Sequence, residues 1–211
     1  MLIVGAGPSL KGFPISSLKG LGYTIAVNGA MFDMPWADAW VTMDCPFIKN
    51  NERFLSKPSR VPLYIALPTV RAVGPAFAPE IKRATYIRRA SNGDRISQDP
   101  CVLECGGTSG YTALNFAYLR WAREIYLFGF DYQETPGAAH YCPERYAWRD
   151  DRDYAQLWKT WRQAFNGAAL QMLDVEITNA SLHSAIDAFP RCTPYEALRE
   201  LEHDRYDATG T

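Results

Sequence analysis

The chain has 211 residues, 47% hydrophobic and 21% charged, enough for one sizeable α/β domain and too few for two full ones. Its 22 basic and 23 acidic side chains leave a formal charge of -1, so no global field draws it to nucleic acid or anionic lipid. The 5 cysteines are odd in number and form no C-x-x-C pair, which argues against a disulfide framework or a zinc knuckle and fits a reducing, cytoplasmic setting.

The first expected strand, Leu2–Val4, runs directly into Gly5-Ala-Gly-Pro-Ser9. Gly5 and Gly7 let a ligand approach the main chain, Pro8 fixes φ and Ser9 can cap the next segment, so the turn reads as a phosphate cradle for a nucleotide or as a tight strand-to-helix turn. Leu10 stands where a dinucleotide fingerprint needs a small residue, and the turn lacks the Gly-Lys-Ser/Thr of a P-loop, which excludes the usual Rossmann and Walker A patterns. Strands are expected at Tyr23–Val27, Ala39–Met43 and Leu63–Leu67, with Asn28 and Asp44 just beyond the ends of the first two.

Residues 68–99 carry six basic side chains (Arg71, Lys82, Arg83, Arg88, Arg89, Arg95) and surround a short strand at Tyr86–Arg88. This stretch suits an anionic substrate or a solvated basic face. Cys105-Gly-Gly-Thr-Ser-Gly110 then opens an apolar-striped helix expected over Ser109–Arg123. Glycines, hydroxyls and a helix N-terminus together make an anion site, unless Thr108 or Ser109 only caps the helix.

The strand Glu124–Phe128 ends in Gly129-Phe-Asp131-Tyr132. Asp131 there can hold a metal or a ribose, or cap backbone N–H groups. Residues 132–151 are too long for a plain connector and read as a lid carrying His140, Tyr141 and Glu144. A helix over Arg152–Leu173 presents Tyr154, Leu157, Trp158, Trp161 and Phe165 on one aromatic face, expected to be core. A strand at Glu176–Thr178 comes next, and residues 202–211 form a polar, fraying tail.

Strands alternating with helices predict a Rossmann-like α/β fold: a mostly parallel sheet with helices on both faces, in a single domain over 1–201 with a lid. No apolar run reaches the roughly 18 to 20 residues of a membrane span, and no basic signal-peptide start is present.

Gly5-Ala-Gly-Pro-Ser-Leu10, Asn28 after the second strand, Thr108-Ser-Gly110 at a helix start and Glu124-Ile-Tyr-Leu-Phe-Gly-Phe-Asp131 together resemble glycosyltransferase family 42, the bacterial sialyltransferases. The pattern is shared with a superfamily that includes motility accessory factors and 6-hydroxymethylpterin diphosphokinases, and it runs from residue 3 to about 190 in order. The resemblance implies a GT-A-like variant of the Rossmann-like sheet. It implies that Gly7, Ser9, Asn28, Thr108, Ser109 and Gly110 cradle a CMP-sugar. It implies too that a lid tyrosine, Tyr132 or Tyr141 here since Gln133 occupies the family position, binds the leaving phosphate, and that His140 or Glu144 deprotonates the acceptor. Asp44 stands where the sialyltransferases carry Asn.

The sequence is therefore read as an inverting glycosyltransferase moving a sugar from a nucleotide-activated, CMP-linked donor to a hydroxyl on a glycan, small molecule or modified nucleic acid, with no required cofactor. The alternatives are a diphosphokinase with Mg²⁺ on Asp44 and Asp131, and a non-catalytic nucleotide-binding module. Self-association is implied by the resemblance alone.

Overall fold

The computed structural model describes residues 1–68, 78–90, 93–133, 141 and 154–209. Eight strands make one sheet: β1 (Leu2–Val4), β2 (Thr24–Val27), β3 (Ala39–Thr42), β4 (Leu63–Leu67), β5 (Ala84–Arg89), β6 (Val102–Leu103), β7 (Glu124–Phe128) and β8 (Glu176–Ala180). All neighbours are parallel, in the order β6-β5-β4-β3-β2-β1-β7-β8. This is the α/β, Rossmann-like architecture expected from the alternation of strands and helices.

The helices are α1 (Cys45–Asn50), α2 (Glu52–Leu55), α3 (Ser109–Leu119), α4 (Tyr154–Gln171) and α5 (Pro194–Thr209). Side chains alternate across a strand, and β1 shows the consequence. Leu2 and Val4 join one buried cluster with Phe47, Leu55 and Leu198, while Ile3 joins the opposite one with Tyr111, Leu114 and Phe165. Both faces of the sheet are thus covered, the first by α1, α2 and α5 and the second by α3 and α4.

Strand order reverses between β1 and β7. At such a switch point the connections leave to opposite sides and open a crevice beyond the carboxyl ends of the strands, where ligands of open α/β sheets bind.

Several boundaries differ from expectation. β6 escapes the sequence reading because two residues carry no periodicity. Helix α3 stops at Leu119 rather than Arg123, since Trp121 takes a left-handed φ of 62° and the chain turns into β7. Residues 202–209 are helical where a frayed tail was expected. The cause lies at the start of α5: Thr193 N and Oγ1 both donate to Glu196 Oε2 at 2.8 Å, Glu196 N donates back to Thr193 Oγ1 at 3.1 Å, and Pro194 opens the helix. That reciprocal box satisfies first-turn donors and nucleates the rest of the helix.

Candidate functional site at the carboxyl edge of the sheet

The two segments flanking the switch point are laced to each other. Gly5 N donates to Phe128 O at 2.8 Å and Gly7 N to Gly129 O at 3.0 Å. Ser9 N donates to Asp131 Oδ1 at 3.1 Å, its hydroxyl donates to Oδ2 at 2.8 Å, and Ser9 Oγ lies 3.1 Å from Ser181 Oγ. The expectation that this turn offers its N–H groups to a phosphate is therefore corrected. The amides of Gly5, Gly7 and Ser9 are spent on the end of β7, and Pro8 has none. Glycine is needed at position 7 because a Cβ there would lie 1.9 Å from Asp131 Oδ2 and 2.6 Å from Gly129 O. The turn is a wall of the crevice held by close backbone approach.

Asp131 is the buckle of this arrangement, only 5% exposed. Burial raises its carboxyl above the ordinary value of 3.8, against the pull of the two Ser9 hydrogen bonds. The folded protein then holds this proton more tightly than the unfolded chain. Wild-type stability should accordingly fall as pH rises from below 3.8 through the folded-state value. Asp131→Asn keeps an acceptor for Ser9 N and cannot ionise. Denaturation curves of variant and wild type across this interval should show the variant gaining relative stability with rising pH, by about 1.4 kcal/mol per unit of displacement. A difference independent of pH would contradict the assignment.

Asn28 ends β2 with φ 51°, a left-handed conformation that Asn tolerates better than most residues. Thr42 Oγ1 accepts from Asp44 N at 3.2 Å and donates to Asn28 Oδ1 at 2.7 Å. With its carbonyl oxygen engaged there, Asn28 is left with the two protons of Nδ2 to meet a ligand. Asp44 is the N-cap of α1, its carboxylate accepting from Phe47 N at 3.2 Å.

The second glycine turn has a different character. Gly106 and Gly107 adopt φ of 47° and 82°, and they lead into Thr108, the N-cap of α3, whose Oγ1 accepts from Gly110 N at 3.4 Å. Ser109 Oγ accepts from Met43 N at 3.1 Å, docking the helix start onto the end of β3. The first turn of a helix leaves N–H groups without intrahelical partners and carries the positive end of its dipole. Tyr132, at φ 50°, places its hydroxyl 3.0 Å from Thr108 Oγ1. Burial raises the Tyr132 phenol well above its ordinary value, so it stays protonated and able to donate. Arg162 Nη1 donates to Tyr132 O at 3.2 Å, and Trp161 and Phe165 pack edge-on against its ring at 5.9 and 5.2 Å.

These parts enclose a cavity of about 380 Å³ along the carboxyl edge, within the range of small-molecule sites. Gly5, Gly7, Pro8, Asn28, Asp44, Thr108, Ser109, Gly110, Asp131 and Tyr132 all line it. Ser9 sits behind Asp131 and is not among the lining residues.

Among the lining residues that were not expected to form the site are Arg89, Trp158 and Trp161. Arg89 lay within the cationic segment of the sequence, and the two tryptophans lay on a stripe read as core. Only Phe165 of that stripe is fully buried among the described side chains, while Trp158 and Trp161 are half-buried on the cavity wall.

Tyr141 is placed elsewhere. Its N–H donates to Ala6 O at 3.1 Å and its hydroxyl to Asp33 Oδ2 at 2.5 Å, and it is not among the residues that line the cavity. His140 and Glu144 lie outside the described residues.

Both Asp131 oxygens accept from Ser9, and Asp44 Oδ1 accepts from the start of α1, so each carboxylate already serves a hydrogen bond of the protein. Among the described residues no cluster of three or more His, Cys, Asp or Glu side chains is grouped to hold a metal, and no helix is long and apolar enough to cross a membrane. No family model, curated protein or solved structure matches the chain.

Proposed function

We propose that the cavity binds a nucleotide-activated sugar, CMP-linked as the resemblance to glycosyltransferase family 42 implies, and that the protein transfers the sugar to a hydroxyl acceptor by a single inverting displacement. The observation that carries this reading is the convergence on one cavity of the Asn28 amide, held by Thr42, and the first turn of α3.

In this reading the Asn28 Nδ2 protons orient the nucleoside, and the α3 amides with the Tyr132 hydroxyl stabilise the phosphate as it leaves. Trp158 and Trp161 cover the reacting groups from the α4 side. The acceptor proton passes to His140 or Glu144. The first glycine turn shapes the wall, with the amides of Gly5, Gly7 and Ser9 engaged by the segment that leaves β7.

Thermal unfolding of the whole protein against CMP, UDP, GDP, ATP and CMP-sugars, each with and without Mg²⁺, tests the proposal. A ligand of the native state at 100 times its Kd stabilises by about 2.7 kcal/mol, a rise of roughly 5–10 °C for a chain of this size. CMP and CMP-sugars should produce that rise without Mg²⁺, and no response to any cytidine nucleotide would overturn the donor assignment. His140→Ala should then lower turnover far more than donor affinity.

A further inference from the structure

Arg89 closes β5 and lines the same cavity as the α3 turn. Two strand spacings, about 10 Å, separate β5 from β3, where Ser109 docks on Met43. Burial pushes the Cys45 and Cys105 thiols up, and the positive charge of Arg89 acts against that push at both, in keeping with Arg89, Cys45 and the glycine turn sharing one cavity.

Among the described residues, the buried Arg89 Nε has no hydrogen-bond partner and no carboxylate pairs with the side chain. The contrast with Arg83 of the same cationic segment is direct. Arg83 Nε donates to Leu55 O at 2.7 Å, its Nη1 donates to Val61 O at 2.9 Å, and its guanidinium lies over the Trp40 ring at 4.9 Å. Arg83 holds backbone together through Nε and Nη1, leaves its buried Nη2 without a partner and does not line the cavity, whereas Arg89 lines the cavity and makes no such backbone contact among the described residues. A desolvated guanidinium nitrogen without an acceptor or counter-ion is costly, and an anion entering the cavity supplies what is missing. Asp44, an acid lining the same cavity, is engaged by the α1 amide of Phe47.

We infer that Arg89 is an anion-binding residue of this cavity, and that a phosphate group seats between its guanidinium and the first turn of α3. The planar fork suits a phosphate bidentately, and the helix start offers amides and dipole from the other side. The inference deepens the nucleotide-sugar reading, since it locates the charged part of the ligand at the β5 side and leaves Asn28 and the indole wall to its neutral part.

Calorimetric titration of the full chain with inorganic pyrophosphate, CMP and cytidine tests it in wild type, Arg89→Gln and Arg89→Lys, with melting curves checking that each variant folds. Arg89→Gln should weaken pyrophosphate and CMP ten-fold or more, Arg89→Lys should fall between, and cytidine should bind all three alike. Equal pyrophosphate affinity in folded wild type and Arg89→Gln, or no pyrophosphate binding to wild type, would overturn the inference. Arg89-dependent pyrophosphate binding without any CMP-sugar binding upholds it and sinks the donor assignment. CMP-sugar binding indifferent to Arg89 does the opposite.

Discussion

Phe165→Ala should lower folding stability by about 3–5 kcal/mol, the range for deleting a fully buried aromatic ring. Phe165 is 0% exposed and its ring meets those of Tyr111 at 5.4 Å, Tyr132 at 5.2 Å, Phe130 at 6.0 Å and Phe189 at 6.3 Å. It therefore joins α4 to α3, to the segment after β7 and to the chain after β8 at one point. Truncation leaves a cavity between elements that cannot all close on it, because α3 is itself buried throughout Ser109–Ala117. Chemical denaturation measures the loss, and a fall in Tm of roughly 10 °C should accompany it. Phe165→Leu, which keeps most of the volume, should cost far less. A loss below about 1 kcal/mol for the alanine variant would contradict the packing described. The effect should also reach the site: Tyr132 loses one of the rings that hold its phenol beside Thr108, so nucleotide affinity should fall together with stability.

Gly7→Ala should cost about 2–4 kcal/mol through steric conflict alone. The new methyl group would lie 1.9 Å from Asp131 Oδ2 and 2.6 Å from Gly129 O, and the second of these atoms is backbone in the turn that leaves β7. Relief requires the two loops to separate, which breaks the Gly7 N to Gly129 O bond and the Ser9 to Asp131 pair. Gly22→Ala is the control, since its Cβ would meet nothing nearer than Leu2 Cγ at 3.9 Å and should be nearly neutral. Adding Asp131→Ala to Gly7→Ala should recover only part of the loss, because the Gly129 carbonyl remains in the way. Denaturation of wild type, each single variant and the double variant gives the coupling directly. A near-wild-type Gly7→Ala would mean that the loops are not laced as described.

Gly7 also shows why part of the site was unreadable from sequence. A glycine turn after a first strand has one appearance for two purposes: admitting a phosphate to the main chain, or admitting another piece of main chain. The discriminating partner, Gly129, lies far along the chain beyond β7, and nothing local marks it. The second turn was more legible. Its glycines, the Thr108 cap and a helix start all act within a few residues of one another, and Thr108 caps α3 while the helix start lines the cavity.

Asn28 and Asp44 were legible as strand-end residues, because the end of a parallel strand is visible in the hydrophobic pattern. What each does was not visible. Thr42 turns the Asn28 amide outward, while Phe47 N turns the Asp44 carboxylate into a helix cap. Trp158, Trp161 and Phe165 shared one stripe with one expected fate, and they divided between core and cavity wall according to where α4 crosses the end of the sheet.

The alternation of most strands with the two long helices α3 and α4, the parallel sheet and the places where the longer strands end were thus legible in the sequence alone, since hydrophobic periodicity and glycine turns are properties of a few consecutive residues. The tertiary structure alone decided which amides of the glycine turns are engaged by the protein itself, which aromatic rings face the cavity and which arginine of the cationic segment lines it. Those outcomes depend on groups that meet across the sheet edge from distant parts of the chain, and the free energy of each is set by its partner and its burial, neither of which a local pattern encodes.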